Sequence, residues 1–167
     1  MDDRSANLVS ALVVALADAL EETTRRAGVH GTSGASALAT IHFVPGERID
    51  ALSRVLGITG SGTVRLVDRL VADGLVERRP GQDRRSVSLW LTEAGERAAE
   101  AIVAERREVL RRALEPLTDA QRRALAALSE PVLAGLSVDR EHADRICRLC
   151  DYLACPQDRC PVETSVS

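Results

Sequence analysis

The sequence predicts an α+β fold that is predominantly helical, and three observations carry that expectation. Apolar residues recur at three- and four-residue spacing in both halves of the chain, as on one face of an α-helix. Between those halves, residues 75–78 and 86–91 alternate enough to read as two short strands around a charged turn. Aromatic residues make up only 2% of the chain against 45% hydrophobic residues, so the core must be assembled from Ala, Val, Leu and Ile, which favours close-packed helices.

Each element follows from local signals. Leu8, Leu12, Leu16 and Leu20, joined by Val9 and Val13, form an i, i+4 stripe that continues to about Arg26, where Gly28 is a stop signal. A shorter helix is expected over residues 33–43, ended by Pro45-Gly46, and another over 47–56 with Ile49, Leu52, Val55 and Leu56 turned inward. Gly57 can end that helix in a left-handed conformation, and the Thr59 hydroxyl can cap the next one. Along residues 63–75, Val64, Val67, Leu70, Val71 and Leu75 are expected to pack, leaving Ser61, Arg65, Asp68 and Arg69 on other faces. Gly74 closes this helix before the two strands. A helix-turn-helix followed by a two-stranded hairpin is a winged helix-turn-helix, which reads DNA. Thr92 can then cap a long helix to about Leu114, and Thr118 with Gln121 has capping-box spacing for a last helix through Leu136.

Several co-linear motifs in this stretch resemble the MarR family of bacterial transcriptional regulators. They are Leu56-Gly57-Ile58-Thr59, Val67-Asp68-Arg69-Leu70, Gly74-Leu75-Val76-Glu77-Arg78, and Asp83-Arg84-Arg85 followed by Leu91-Thr92-Glu93-Ala94-Gly95. The resemblance implies an N-terminal dimerisation helix (1–30), a winged helix-turn-helix (31–95) and C-terminal dimerisation helices (96–138), with a Cys-rich segment (139–167) outside the usual pattern. It also implies a homodimer on double-stranded DNA, with two recognition helices facing half-sites about one DNA turn apart. The apolar stripe Leu125, Leu128, Val132 and Leu136 agrees, because it needs a partner. Small phenolic or lipophilic effectors, which often bind between winged helix and dimer helices in that family, are a further implication.

In the winged helix, the N-terminal half of the recognition helix should enter the major groove, which makes Ser61, Gly62, Thr63 and Arg65 the candidates for base-edge and phosphate contacts. Arg65 is the best candidate for base readout, since a guanidinium can bind a guanine edge bidentately. Thr59 and Ser61 fit phosphate contacts, while Gly60 and Gly62 depart from the bulkier residues commoner in the family. Asp83 and Arg85 match the family's D-x-R wing signature, in which the Asp orients the Arg toward the minor groove, and Arg84 is a second candidate. Asp68 and Arg69 are neighbours that point apart, so structural pairing is expected of them.

The formal net charge of −3 excludes a chain that coats nucleic acid along its whole length but permits a local basic face. Residues 61–91 hold six Arg (65, 69, 78, 79, 84, 85) and four acids (68, 73, 77, 83), a local excess of +2. No stretch reaches the roughly 20 consecutive apolar residues that cross a bilayer, and the N-terminus lacks a basic start followed by an apolar run, so no membrane association and a cytoplasmic location are expected.

All four cysteines lie near the C-terminus, at Cys147, Cys150, Cys155 and Cys160, with spacing C-x2-C-x4-C-x4-C. Clustering within fourteen residues is unlike core packing, and reducing conditions favour metal or redox chemistry over a permanent disulfide. Four thiolates can close the shell of a tetrahedral Zn2+ ion, and the spacing is similar to a zinc knuckle with Cys155 in the usual His place. An iron–sulfur cluster, compatible with the steps Cys155-Pro156 and Cys160-Pro161, and a metal-free thiol switch are the alternatives. His142 is read as a solvated or capping residue rather than a spare ligand, and His30 and His42 as surface or packing residues.

The expected function is a sequence-specific DNA-binding transcriptional regulator, a repressor by default, whose homodimer binds a pseudo-palindromic operator. Its signal is expected to be a small ligand or the metal or redox state of the cysteines. The alternative is a metal- or redox-binding protein whose helix-turn-helix serves protein contacts. No H-E-x-x-H, G-x-S-x-G or phosphate-binding glycine loop occurs, so an enzyme is not expected.

Overall fold

The computed structural model describes residues 2–81 and 86–166. The element order is α1 (Asp3–Arg26), α2 (Gly31–Phe43), β1 (Glu47–Arg48), α3 (Ile49–Leu56), α4 (Gly60–Ala72), β2 (Val76–Pro80), β3 (Val87–Leu91), α5 (Glu93–Ala113), α6 (Asp119–Leu136), α7 (Arg140–Cys147), a 3-10 turn (Gln157–Arg159) and α8 (Pro161–Thr164).

Helix α2 sits at the centre of the main core. Its residues 34–41 are buried without interruption, and the small side chains Ala35, Ser36, Ala37 and Ala39 let α1, α3, α4, α5 and β3 approach it closely. Leu38, Ile41, Leu52, Leu66, Leu70 and Leu89 fill the space between these elements. A core of this kind stabilises by apolar area removed from water, and the elements that frame α4 contribute to it.

The caps stand where the residue types place them. Thr59 accepts a hydrogen bond from Gly62 N at 3.2 Å, and Thr92 from Gly95 N at 3.0 Å. Thr118 and Gln121 form a reciprocal capping box at the start of α6. Gly57 ends α3 at φ 63°, the left-handed cap.

Three sequence expectations are corrected. The helix expected over 47–56 begins at Ile49, because Glu47 and Arg48 are drawn into a strand that pairs antiparallel with β3, opposite Leu89 and Ser88. The wing sheet therefore has three strands in the order β1-β3-β2 rather than two. Along α4 and just after it, Val67 and Leu70 are buried and Val71 and Leu75 pack against the core as expected, but Val64 is exposed, and Thr63 and Leu66 are buried in addition. Burial of Thr63 is tolerable because its hydroxyl donates to Thr59 O at 3.1 Å, so the polar atom is not stranded.

Candidate nucleic-acid interface and cysteine cluster

Helix α4 presents Ser61, Val64, Arg65, Asp68 and Arg69 to solvent. Arg65 is exposed and, among the described residues, no side chain or backbone group holds it. Its guanidinium is therefore free to fork onto a base edge or a phosphate. Ser61 lies in the first turn, with its Oγ 3.4 Å from Thr59 Oγ1, beside backbone N–H groups that a phosphate could use. Thr59 already spends an acceptor lone pair on its cap, which leaves its hydroxyl proton to give.

Thr63 does not belong to this face. It is 0% exposed, which removes it from the expected contacts. Val64 takes its place on the outside, where an apolar side chain can meet a thymine methyl. With Leu66 and Leu70 buried, positions 61, 64, 65 and 68 turn outward together. Gly60 has nothing within 4 Å of a notional Cβ, whereas a Cβ at Gly62 would meet Thr59 Oγ1 at 3.1 Å, so only Gly62 is in close quarters. Asp83, Arg84 and Arg85 lie outside the described residues.

The wing is tied to α4 by Arg78, whose Nη2 donates to Asp68 Oδ1 at 2.7 Å, as the structural reading of Asp68 expects. On the wing, the Arg79 guanidinium carbon lies 4.6 Å from the Trp90 ring centroid, and Arg79 Nε donates to Glu77 at 2.7 Å. His30 Nε2 lies 2.6 Å from Asp73 Oδ2, joining the α1–α2 loop to the end of α4, and His42 Nδ1 lies 2.6 Å from Glu96 on α5. Both are tertiary ties that sequence spacing gave no means to pair.

The four cysteines are brought together. Cys147, Cys150, Cys155 and Cys160 line one cavity of about 50 Å³ with Tyr152, Arg140, Asp144, Gln157 and Glu163 around it, and all are free thiols. A hydrogen bond from Cys147, reinforced by the charge of Arg106 and Arg148 and opposed by burial, brings the Cys150 thiol down to about 7. Cys147 is pushed up, chiefly through its bond to Cys150, and burial raises Cys155 to about 11. His142 does not line the cavity; its backbone N–H donates to the Asp139 cap of α7 at 2.7 Å.

Residues 32–86 match the sequence model of the MarR family. Over that segment the chain is similar to the MarR family. The HTH-type transcriptional regulator PetP of Rhodobacter capsulatus is 44% identical over 59 residues, which is 33% of this chain and 36% of that protein, so the chain spans little more than a third of its curated relative. Among solved structures, the YusO protein of Bacillus subtilis superposes with a TM-score of 0.68 at 22% identity, covering 77% of this chain and 92% of its own. A MarR family transcriptional regulator from Silicibacter pomeroyi reaches a TM-score of 0.60 at 27% identity, covering 80% of this chain and 90% of its own. The likeness of fold thus extends beyond the matched segment to about four-fifths of the chain. Among the described residues, no helix is long and apolar enough to cross a membrane.

Proposed function

We propose that the protein is a sequence-specific DNA-binding transcriptional regulator that acts as a homodimer on a pseudo-palindromic operator and represses by excluding polymerase. The observation that carries this reading is the outer face of α4, where a capped, core-anchored helix presents Arg65 without any partner of its own among the described residues. A rigid helix with an unengaged guanidinium on its exposed face suits entry into a major groove. The dimer is supported by exposed apolar faces on α1 and α6, which would set two copies of α4 side by side. A cavity of about 380 Å³ bounded by Ala17, Leu20 and Thr24 of α1, Arg106 of α5, and Ile146 and Leu149 suits a small effector with an apolar body and an acidic group.

Selection of binding duplexes from a random DNA pool, followed by anisotropy titrations at several salt concentrations, tests the reading. Enrichment of a two-fold symmetric sequence is expected, with affinity falling steeply as salt rises. Arg65→Ala should weaken binding to that sequence about 5- to 150-fold, the equivalent of roughly 1–3 kcal/mol, while the far-UV circular dichroism stays unchanged. A pool that yields no consensus, or an Arg65→Ala variant that binds the consensus like the parent, would sink it.

A further inference from the structure

We infer that Cys147, Cys150, Cys155 and Cys160 form a closed tetrathiolate site for one zinc ion, and that this ion pins the C-terminal segment against the helix-turn-helix. The winged-helix chemistry does not use these residues.

Geometry is the first argument. The sulfurs come from the end of α7, the loop after it and the start of α8, elements far enough apart that only the fold gathers them around one small cavity. Four sulfurs at about 2.3 Å from a tetrahedral zinc ion stand about 3.8 Å from one another, which is the spacing the four side chains must reach. A cavity of about 50 Å³ is sized for a single ion rather than for a four-iron cluster with its bridging sulfides. Among the described residues no three potential ligands already surround a single ion position, so zinc entry requires the thiols to turn from each other toward the centre. The exchange balances as Zn2+ plus four thiols giving a tetrathiolate of charge −2 and four protons released to solvent. Arg106 and Arg148, whose charges act on Cys150, would offset that charge.

Energetics is the second argument. The second cluster buries only Ala143, Cys160 and Val162, with Leu133, Ile146, Cys147, Cys155 and Val166 partly covered. Burial within so small a cluster supplies only part of what holds the segment, and a metal staple would add to it. Ion pairs of Arg140 with Glu163 and Asp144 are partly exposed and add little.

The third argument is where the segment docks. Helix α7 packs on α3, and Arg145 lies so close to Gly57 that a Cβ there would meet its Cδ at 2.7 Å. Leu149 enters the main core, the Tyr152 ring lies 5.4 Å from Phe43 of α2, and Asp151 accepts from Arg107 of α5 at 2.5 Å. The segment thus contacts the turn that precedes the recognition helix.

The test is metal analysis of the full chain purified anaerobically without added metal, then reconstituted with zinc or cobalt. One zinc per chain is expected, and cobalt should give the ligand-field and sulfur-to-metal charge-transfer bands of tetrahedral thiolate coordination. Cys155→Ser with Cys160→Ser should lower the zinc content at least ~10-fold; should that variant fail to fold, the cobalt spectrum of the parent still decides. Chelation should speed amide exchange across Arg140–Cys147 by ~10-fold or more. A brown protein with iron and acid-labile sulfide, two disulfides by mass, or four free thiols that bind neither zinc nor cobalt would overturn the site. Unchanged exchange on chelation would overturn the pinning. None of these readouts involves DNA, so their failure leaves the regulator reading standing.

Discussion

Two glycines show how differently the same residue type works in this chain. Gly95 opens α5 directly beneath Leu75, and a Cβ there would lie 1.9 Å from the Leu75 carbonyl oxygen. That atom is backbone and already accepts from Thr92 N at 3.0 Å, so it cannot swing aside. Gly95→Ala should therefore cost about 1–3 kcal/mol of overpacking, read as a fall in the urea midpoint. Gly60, the first residue of α4, has open space around its Cα. There, replacement by Ala should be neutral or stabilise by up to about 1 kcal/mol, because it removes freedom from the unfolded chain without a clash. A Gly95→Ala variant as stable as the parent would mean that α5 does not start where it does here. The contrast also separates a packing role at Gly95 from the unusually open first turn of the recognition helix.

Among the elements, α5 depends on one residue in two ways. The Thr92 hydroxyl accepts from Gly95 N and donates to Gly74 O at 2.6 Å, so it caps α5 and ties that cap to the turn after α4. Thr92→Ala should lower stability by about 1–2 kcal/mol in chemical denaturation, whereas Thr92→Ser should retain most of it. Signals of this local kind were legible: Thr59, Thr92 and Thr118 are caps, and Gly57 and Gly74 stand at positive φ where helices stop. What was not legible depends on distant partners. Glu47 and Arg48 become a strand only because β3, about forty residues on, offers an edge. In α4, Val64 was misplaced because Val64 and Leu66 are equally apolar, and the choice between them is made by packing against α3, β2 and α2 rather than by spacing. The cysteine spacing announced that the four side chains would lie near one another, but nothing in it announced that Arg145 would lie against Gly57.

For the molecule as a whole, the most informative surface is the one left uncovered. Helix α6 has no buried residue, and Leu128, Val132 and Leu136 are 68%, 61% and 56% exposed on one i, i+4 stripe. On α1, Leu8, Val9, Leu12, Val13 and Val14 are also exposed, far more apolar surface than scattered single residues explain. A second copy can cover both stripes at once if α1 and α6 of each protomer meet those of the other, and such a self-complementary contact closes as a two-fold dimer. Because Val132 touches solvent in the single chain, Val132→Glu should leave the monomer fold intact while placing a desolvated charge in the interface. Light scattering should then show a dimer for the parent and a monomer for the variant, at matched concentration and with the same circular dichroism. Losing the second α4 removes the effective concentration that couples two half-sites, so operator affinity should drop by ~100-fold or more. A parent that scatters as a monomer, or a variant that stays dimeric, would show that α6 covers something other than a second copy of this chain.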